Sequence, residues 1–237
     1  MGPIQRKKVE AAKTDRFEAL GQILDIIERL LGENGCPWDR KQTPETVQTY
    51  LVEESHEAAA AVRAGRVEEV AEELGDVLFM AFFLVRLYEG RGDFRLEDVC
   101  RLISEKMIRR HPHVFGETKV NSANEVKDNW EKIKASEKGA SGKAVQPVPD
   151  SLPALIRAYR MFSRSTSRDW GDLSLQMRQF AREGHELGSR LESEEALDEE
   201  LGRLLARLVN IARLKGYRAE DLLHGFLGRF ESEGPRA

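Results

Sequence analysis

The chain has 237 residues, 41% hydrophobic and 33% charged, which is enough apolar sequence to bury a sizeable core. The net charge of −4 gives no basic footprint for polymeric nucleic acid, so no partner of that kind is expected. Two cysteines do not form a disulfide framework, and no apolar run reaches the roughly 20 residues of a membrane span. With a polar N-terminus that lacks a signal-peptide pattern, we expect a cytoplasmic protein without a membrane partner.

Apolar residues recur at helical spacing along the chain, and alternating runs typical of strands are missing, which predicts an all-α fold. In the first half, helices are predicted over 15–31, 44–64, 67–89, 96–110 and 122–137. Thr43 and Pro44 are typical cap and first-turn residues of the second helix, and Gly65 ends it. Ser122 and Glu125 predict a capping box at the start of the fifth.

Residues 138–150 lose the helical periodicity and concentrate Gly, Ser and Pro, which predicts a linker. The expected domains are therefore 1–137 and 151–237. Further helices are predicted over 153–163, 175–191, 195–215 and 219–230. Two strings of the first half recur in altered form in the second: EESHE at 53–57 matches REGHE at 182–186, and LGDVLF at 74–79 matches LGRLLA at 201–206. An internal duplication explains the matches economically.

Two acidic runs on consecutive helices carry the strongest chemical signal. Glu54 and Glu57, like Glu73 and Asp76, are three residues apart and share a helix face. Interleaved apolar residues place some of these acids near the seam between the helices, where unbalanced carboxylates would take up protons. A bound cation is therefore expected, and oxygen ligands select Mg²⁺ or Mn²⁺ over zinc. The alternative, a solvated acidic face, is disfavoured because the pattern occurs on both helices.

The acidic pattern resembles the ExxE…ExxD signature of the all-α nucleotide pyrophosphohydrolases. The strings GCPWDRKQT at 35–43, EELGDVLF at 72–79 and RRHPHVF at 109–115 look like those of the MazG branch. The resemblance implies tandem MazG-like helical bundles with a four-helix-bundle core, and a homodimer. It also implies an enzyme that hydrolyses (deoxy)nucleoside triphosphates to the monophosphate and pyrophosphate with Mg²⁺, water attacking the α-phosphorus.

In this resemblance the four motif acids hold the metal, and one spare acid accepts the proton of the attacking water. Glu53 and Glu72 are the candidates for that catalytic role, and spacing does not decide between them. The candidate substrate-binding residues are basic and aromatic side chains on the fourth and fifth helices: Lys106, Arg109, Arg110, Trp130 and Lys134. Trp130 suits base stacking and the cations suit phosphate. The alternatives are a core anchor for Trp130 and a solvated helix end for the cations; for Trp38 we favour a structural role.

Histidines do not change this interpretation. Glu53 and His56 have the spacing of the ligand pair of di-iron bundles, but that architecture requires the pair twice. In the matching stretch, Arg182 stands three residues before His185, so di-iron chemistry is disfavoured. His111 and His113 flank Pro112 and are expected to end a helix.

The second half departs from the acidic pattern at two positions. Arg182 stands at the position of Glu53 and Arg203 at that of Asp76. An arginine inside a carboxylate cluster removes the need for a cation. The matching acids Glu183, Glu186, Glu199 and Glu200 persist, but the helix with Trp130 and Lys134 has no counterpart. We predict catalysis in the first domain and a degenerate second domain that serves packing, dimerisation or regulation.

Two other functions are compatible with parts of the pattern. A nucleotide-binding sensor or interaction module without turnover is one, and the intact first-half acids argue against it. An enzyme of the same scaffold acting on dUTP, dCTP or a phosphoribosyl-ATP is the other, and the GCPWD and RRHPHVF strings argue against it. Base and sugar preference stay open.

Overall fold

The computed structural model describes residues 3–140, 147–165, 168–190 and 197–233. Within these ranges the secondary structure is helical and contains no strand, which confirms the all-α prediction. The chain divides into two compact units, residues 1–137 and 138–237. Much of the predicted linker, at 141–146, and the predicted helix end and start at 191 and 195 lie outside the described residues.

The helices of the first unit are α1 (Pro3–Leu31), α2 (Pro44–Ala64), α3 (Val67–Arg91), α4 (Leu96–Arg110), α5 (Pro112–Phe115) and α6 (Ala123–Ala140). The predicted bounds of α2 and α4 agree with the structure, but α1 begins twelve residues earlier than the predicted start at 15. Helix α4 ends at Arg110 with His111 as its C-cap, and Pro112 opens the short helix α5, because proline fits the first turn of a helix. A 3₁₀ turn at Asp39–Lys41 lies between α1 and α2.

Helices α2 and α3 form an antiparallel hairpin that carries all the predicted metal ligands. Thr43 and Thr46 cap the start of α2 reciprocally, each side chain accepting a hydrogen bond from the other's backbone N–H, at 3.4 Å and 2.9 Å. Gly65 ends α2 with a left-handed φ of 69°, which a residue with a Cβ adopts only with strain. Only Gly65 and Arg66 connect the helices, so the chain must turn back on itself.

The apolar core of the first unit lies at the open end of this hairpin. Ile27 of α1, Val47 of α2 and Phe83 of α3 are each at most 2% exposed and pack together. Helix α1 therefore covers the start of α2 and the end of α3. The acidic residues lie nearer the turn, where Val62 and Leu74 are 60% and 49% exposed.

The second unit contains α7 (Ala154–Arg164), α8 (Leu173–Arg190), α9 (Asp198–Leu214) and α10 (Ala219–Glu233), with a 3₁₀ turn at Arg168–Gly171. Helices α8 and α9 pack against each other, as α2 and α3 do in the first unit. Their interface is partly polar, because Gln176, Arg207 and Asn210 are buried beside Leu187 and Val209. None of the described helices combines the length and apolar character needed to cross a bilayer.

Candidate active site

Three carboxylates converge on the α2/α3 hairpin. Glu54 and Glu57 project from α2 and Glu73 projects from α3, with one oxygen of each lying within 4.8 Å of the others. The i, i+3 spacing aligns the two acids of α2, and the antiparallel turn brings α3 alongside them. The structure thus joins three of the four predicted metal ligands into one cluster.

The cluster carries uncompensated negative charge. Burial, and then the charges of Asp76, Glu57 and Glu53, raise the pKa of Glu54 above its ordinary value. Burial also raises the pKa of Glu73, helped by Glu57, Asp76 and other neighbouring acids. In the part of the chain that the structure describes, no Lys, Arg or His forms an ion pair with the three clustered glutamates. The ionised carboxylates therefore repel one another, and a cation bound among them would stabilise the ionised forms.

The remaining predicted acids surround this cluster without joining it. Asp76 is exposed on α3 and lies outside the group of three, although its charge acts on both Glu54 and Glu73. Glu53 and Glu72 are also exposed, and each acts on the glutamate that follows it in sequence. Glu53 and Glu72 each precede a clustered glutamate, so their positions do not show which of the two would accept a proton.

The donor set fits a hard divalent cation. All three converging groups are carboxylates, and oxygen ligands of this kind suit Mg²⁺ and Mn²⁺ rather than zinc, which prefers nitrogen and sulfur. Mg²⁺ typically binds through a few carboxylates and completes its coordination with water and substrate phosphates. Two half-buried glutamates, Glu54 and Glu73, and the exposed Glu57 form an open group that matches this requirement.

A second group of predicted residues forms where the end of α4 meets α6. Arg109 and Arg110 both bind the carboxylate of Glu137, and the guanidinium of Arg110 lies over the Trp130 ring, 5.3 Å from its centroid. The imidazole of His111 makes a T-shaped contact with the same ring, and the two ring centroids are 4.9 Å apart. Trp130 is therefore half-buried, with a guanidinium and an imidazole against its ring.

The two predicted lysines are less constrained. Lys134 lies one turn after Trp130 on α6, and its ammonium is 3.5 Å from a carboxylate oxygen of Glu131. Lys106 is exposed on α4. Among the described residues, no hydrogen bond, ion pair or ring contact links the second group to the acidic cluster. Trp38, for which a structural role was favoured, is 56% exposed and contacts Tyr50 of α2 at 6.0 Å between ring centroids.

The matching acids of the second unit are all paired with arginines of the same unit. Arg207 binds Glu183 through two hydrogen bonds of 2.8 Å and 2.7 Å, in a pocket where both side chains are at most 13% exposed. The other acids form more exposed ion pairs, namely Glu186 with Arg182, Glu199 with Arg203 and Glu200 with Arg190. Each carboxylate that matches the acidic run of the first unit thus has an internal cation.

Sequence reasoning identified Arg182 and Arg203 but missed Arg207 and Glu137. Arg207 stands 127 residues after Met80, at an apolar position of the repeat, and falls on the helix face of Leu204 and Ile211. A charged residue in that register was a usable signal. Glu137 follows Lys134 by three residues and Trp130 by seven, which places it on their face of α6.

The fold and the carboxylate cluster define an all-α protein with a candidate divalent-cation site on a helical hairpin. The family described as the MazG nucleotide pyrophosphohydrolase domain matches residues 42–115, which span α2 to α5. This chain belongs to the MazG family, and the predicted resemblance is confirmed.

Similar proteins extend the match over both units. A nucleoside triphosphate pyrophosphohydrolase of Escherichia coli K12 is 36% identical over 221 residues, covering 90% of this chain and 84% of that protein. The nucleoside triphosphate pyrophosphohydrolase/pyrophosphatase MazG of Thermotoga maritima is 36% identical over 212 residues, covering 88% and 81%. A crystal structure of a mazG-related protein from the same organism aligns with 48% of this chain and 98% of its own at 32% identity, with a TM-score of 0.43.

Proposed function

We propose that this MazG-family enzyme hydrolyses nucleoside triphosphates to the nucleoside monophosphate and pyrophosphate in its first unit, with Mg²⁺ as the cofactor. The observation that carries the proposal is the convergence of Glu54, Glu57 and Glu73 within 4.8 Å, with no cationic partner among the described residues. The names of the relatives from Escherichia coli and Thermotoga maritima support the same reaction.

In this proposal Glu54, Glu57 and Glu73 hold the cation, and Asp76 adds a fourth carboxylate from α3. A bound Mg²⁺ would offset the charge of the triphosphate and assist the attack of water on the α-phosphorus. Glu53 or Glu72 accepts the proton of that water, because both are exposed carboxylates beside the cluster that are not needed as ligands.

The cationic group on α4 and α6 is proposed to bind the rest of the substrate. Arg109 and Arg110 present guanidinium N–H donors suited to phosphate oxygens, and Lys134 and Lys106 add ammonium charge. Trp130 offers a ring for stacking against the base. These roles require the α4/α6 group to approach the acidic cluster when substrate binds.

Product analysis tests the reaction directly. Purified full-length protein is incubated with Mg²⁺ and each of the eight common nucleoside triphosphates, and the products are separated by chromatography. Monophosphate and pyrophosphate in equal amounts are expected. Release of orthophosphate with diphosphate would instead place the cleavage at the γ-phosphorus, and binding without turnover would leave the sensor function in place of the enzyme.

Magnesium is expected to stabilise the folded protein, more strongly as pH rises. Because the pKa values of Glu54 and Glu73 are raised, the native state holds more protons than the unfolded state just above the ordinary glutamate pKa. Their contribution to stability therefore falls as pH rises through the raised values, and a cation restores it. Calorimetry should show that saturating Mg²⁺ raises Tm by about 5 °C at pH 8.

The same increase in Tm should be much smaller near pH 5, where protons compete with the cation for the carboxylates. Ca²⁺ and Mn²⁺ serve as alternative ions, and the Glu54→Gln variant serves as the control with a disrupted site. An equal Mg²⁺ effect in Glu54→Gln would show that the ion binds elsewhere and would remove the metal assignment.

A homodimer is also proposed, with a second copy of this chain covering the apolar side chains left exposed on α4. Val99, Leu102 and Ile103 are 36%, 58% and 45% exposed, although their spacing defines one apolar helix face. The α2/α3 hairpin supplies two helices, and pairing with a second hairpin would complete a four-helix core. Stable homodimer interfaces are more apolar than transient ones, which fits an exposed apolar face of this kind.

Sedimentation of the wild-type protein should give twice the chain mass, and Leu102→Glu should shift it toward the monomer by placing a charge in the apolar interface. Ser104→Glu adds the same charge to an exposed position of α4 and should leave the mass unchanged. A wild-type monomer at all concentrations, or equal effects of the two variants, would remove the proposed interface.

A further inference from the structure

The carboxylate of Glu137 is held between two guanidinium groups. Nε of Arg109 donates to one oxygen at 2.6 Å, while Nε and a terminal nitrogen of Arg110 donate to the other at 3.1 Å and 2.6 Å. A longer contact of 3.4 Å joins Nε of Arg110 to the first oxygen. Both carboxylate oxygens are therefore bound by the cations that are proposed to bind phosphate.

The arrangement has one negative charge for two positive ones. Hydrogen bonds from Arg110, and then Arg109, lower the pKa of Glu137, so the carboxylate is ionised at neutral pH. The side chains of Arg110 and Glu137 are 17% and 18% exposed, whereas that of Arg109 is 53% exposed. The group keeps a net charge of +1 and can still attract an anion. Three of its guanidinium N–H donors, however, are already bound to Glu137.

A phosphate group would need the same donors. Guanidinium groups bind carboxylate and phosphate oxygens with the same planar pairs of N–H groups. An N–H group that donates to Glu137 cannot also donate to a phosphate. A phosphate bound to the same guanidinium groups would also be repelled by the Glu137 carboxylate. Triphosphate and Glu137 therefore compete for one site.

We propose that Glu137 is an internal competitor of the triphosphate, an autoinhibitory contact that occupies Arg109 and Arg110 until substrate displaces it. The inference rests on the proposed substrate-binding role of these arginines. Displacement frees a pair of guanidinium groups beside the ring of Trp130, which provides phosphate donors and a stacking surface in one place.

A purely structural role for Glu137 leads to the opposite expectation. In that case the ion pairs only hold α6 against the end of α4, and their loss would displace Trp130 and weaken substrate binding. The sign of the change in affinity therefore separates a competitor from a structural contact.

Glu137→Gln in the full chain is the decisive variant, because glutamine keeps the size and one acceptor but removes the charge. If Glu137 holds the site for about nine-tenths of the time, its removal should lower KM for ATP about tenfold with kcat changed less than about twofold. The Ki of inorganic tripolyphosphate as a competitive inhibitor should fall by the same factor. Asp128→Asn makes the same charge change at an exposed position of α6 and should alter neither constant.

An unchanged or raised KM in Glu137→Gln, with an intact circular dichroism spectrum and Tm, would overturn the proposal. So would an equal fall in KM for Asp128→Asn, which would reflect general charge on α6. Calorimetric titration with tripolyphosphate separates this failure from that of the proposed enzyme. If Glu137→Gln binds tripolyphosphate more tightly than the wild type but neither protein hydrolyses ATP, Glu137 is a competitor and the proposed reaction is rejected. If both proteins hydrolyse ATP but bind tripolyphosphate with equal affinity, the reaction stands and the competitor is rejected.

Discussion

Replacing Glu54 or Glu57 by glutamine is expected to reduce triphosphate hydrolysis by at least about 100-fold, since even the outer partners of metal ligands are worth up to that factor. Glutamine keeps the shape of each side chain but removes half of its oxygen ligands and its charge. Both residues belong to the group of three carboxylates within 4.8 Å. The rate of pyrophosphate release at saturating Mg²⁺ and ATP measures the effect.

The chain provides its own matched control. Glu186 stands 129 residues after Glu57, on the corresponding helix of the second unit, and both are exposed. Its partner is Arg182, at 3.7 Å across a solvent-exposed pair, so Glu186→Gln should change stability by less than about 1 kcal/mol. Activity should also stay within twofold of the wild type. If Glu186→Gln loses as much activity as Glu57→Gln, catalysis takes place at least partly in the second unit.

The carboxylate cluster could be predicted from sequence because its members lie on two consecutive helices. Glu54 and Glu57 share a helix face, and a two-residue turn at Gly65 and Arg66 leaves little choice about how α3 returns. Local rules of helix periodicity and capping therefore fix most of the geometry of the cluster. The position of Asp76 outside the group of three depends on side-chain direction within one turn, which spacing alone does not define.

The α4/α6 group shows where these local rules stop. Arg109 and Glu137 are 28 residues apart, and their contact depends on how α6 folds back after α5. The sequence shows four cations and a tryptophan but not which anion they bind. The start of α1 was also missed, because its first residues do not show a clear apolar face, and a helix there follows from propensity alone.

Arg207 in the second unit illustrates a different limit. The sequence predicted that arginines neutralise the second acidic run, and it identified Arg182 and Arg203, whose pairs with Glu186 and Glu199 are exposed. The buried pair belongs to Arg207, which occupies an apolar position of the repeat. A comparison of the acidic positions of the two halves does not detect Arg207, because this arginine stands at an apolar position.

Replacing Arg207 by methionine is expected to lower the free energy of unfolding of the second unit by about 3–5 kcal/mol, as removal of one partner from a buried ion pair does. The Arg207 side chain is 9% exposed and binds Glu183, Gln176 and Gln179, and its guanidinium lies 5.8 Å from the centroid of the Trp170 ring. Methionine fills similar volume but leaves the carboxylate of Glu183 buried without a partner. Urea denaturation followed by circular dichroism measures the loss.

A second variant separates the ion pair from ordinary packing. Because a buried pair replaced by apolar groups of similar volume is often as stable as the original, Arg207→Met combined with Glu183→Leu should recover most of the lost stability. Below the transition, both variants should hydrolyse ATP at the wild-type rate, since the proposed site lies on α2 and α3. If the double variant is no more stable than Arg207→Met, the contacts of Arg207 with the glutamines and Trp170 outweigh its charge. In that case the guanidinium does not act in the second unit as a fixed replacement for the cation that is proposed to bind in the first.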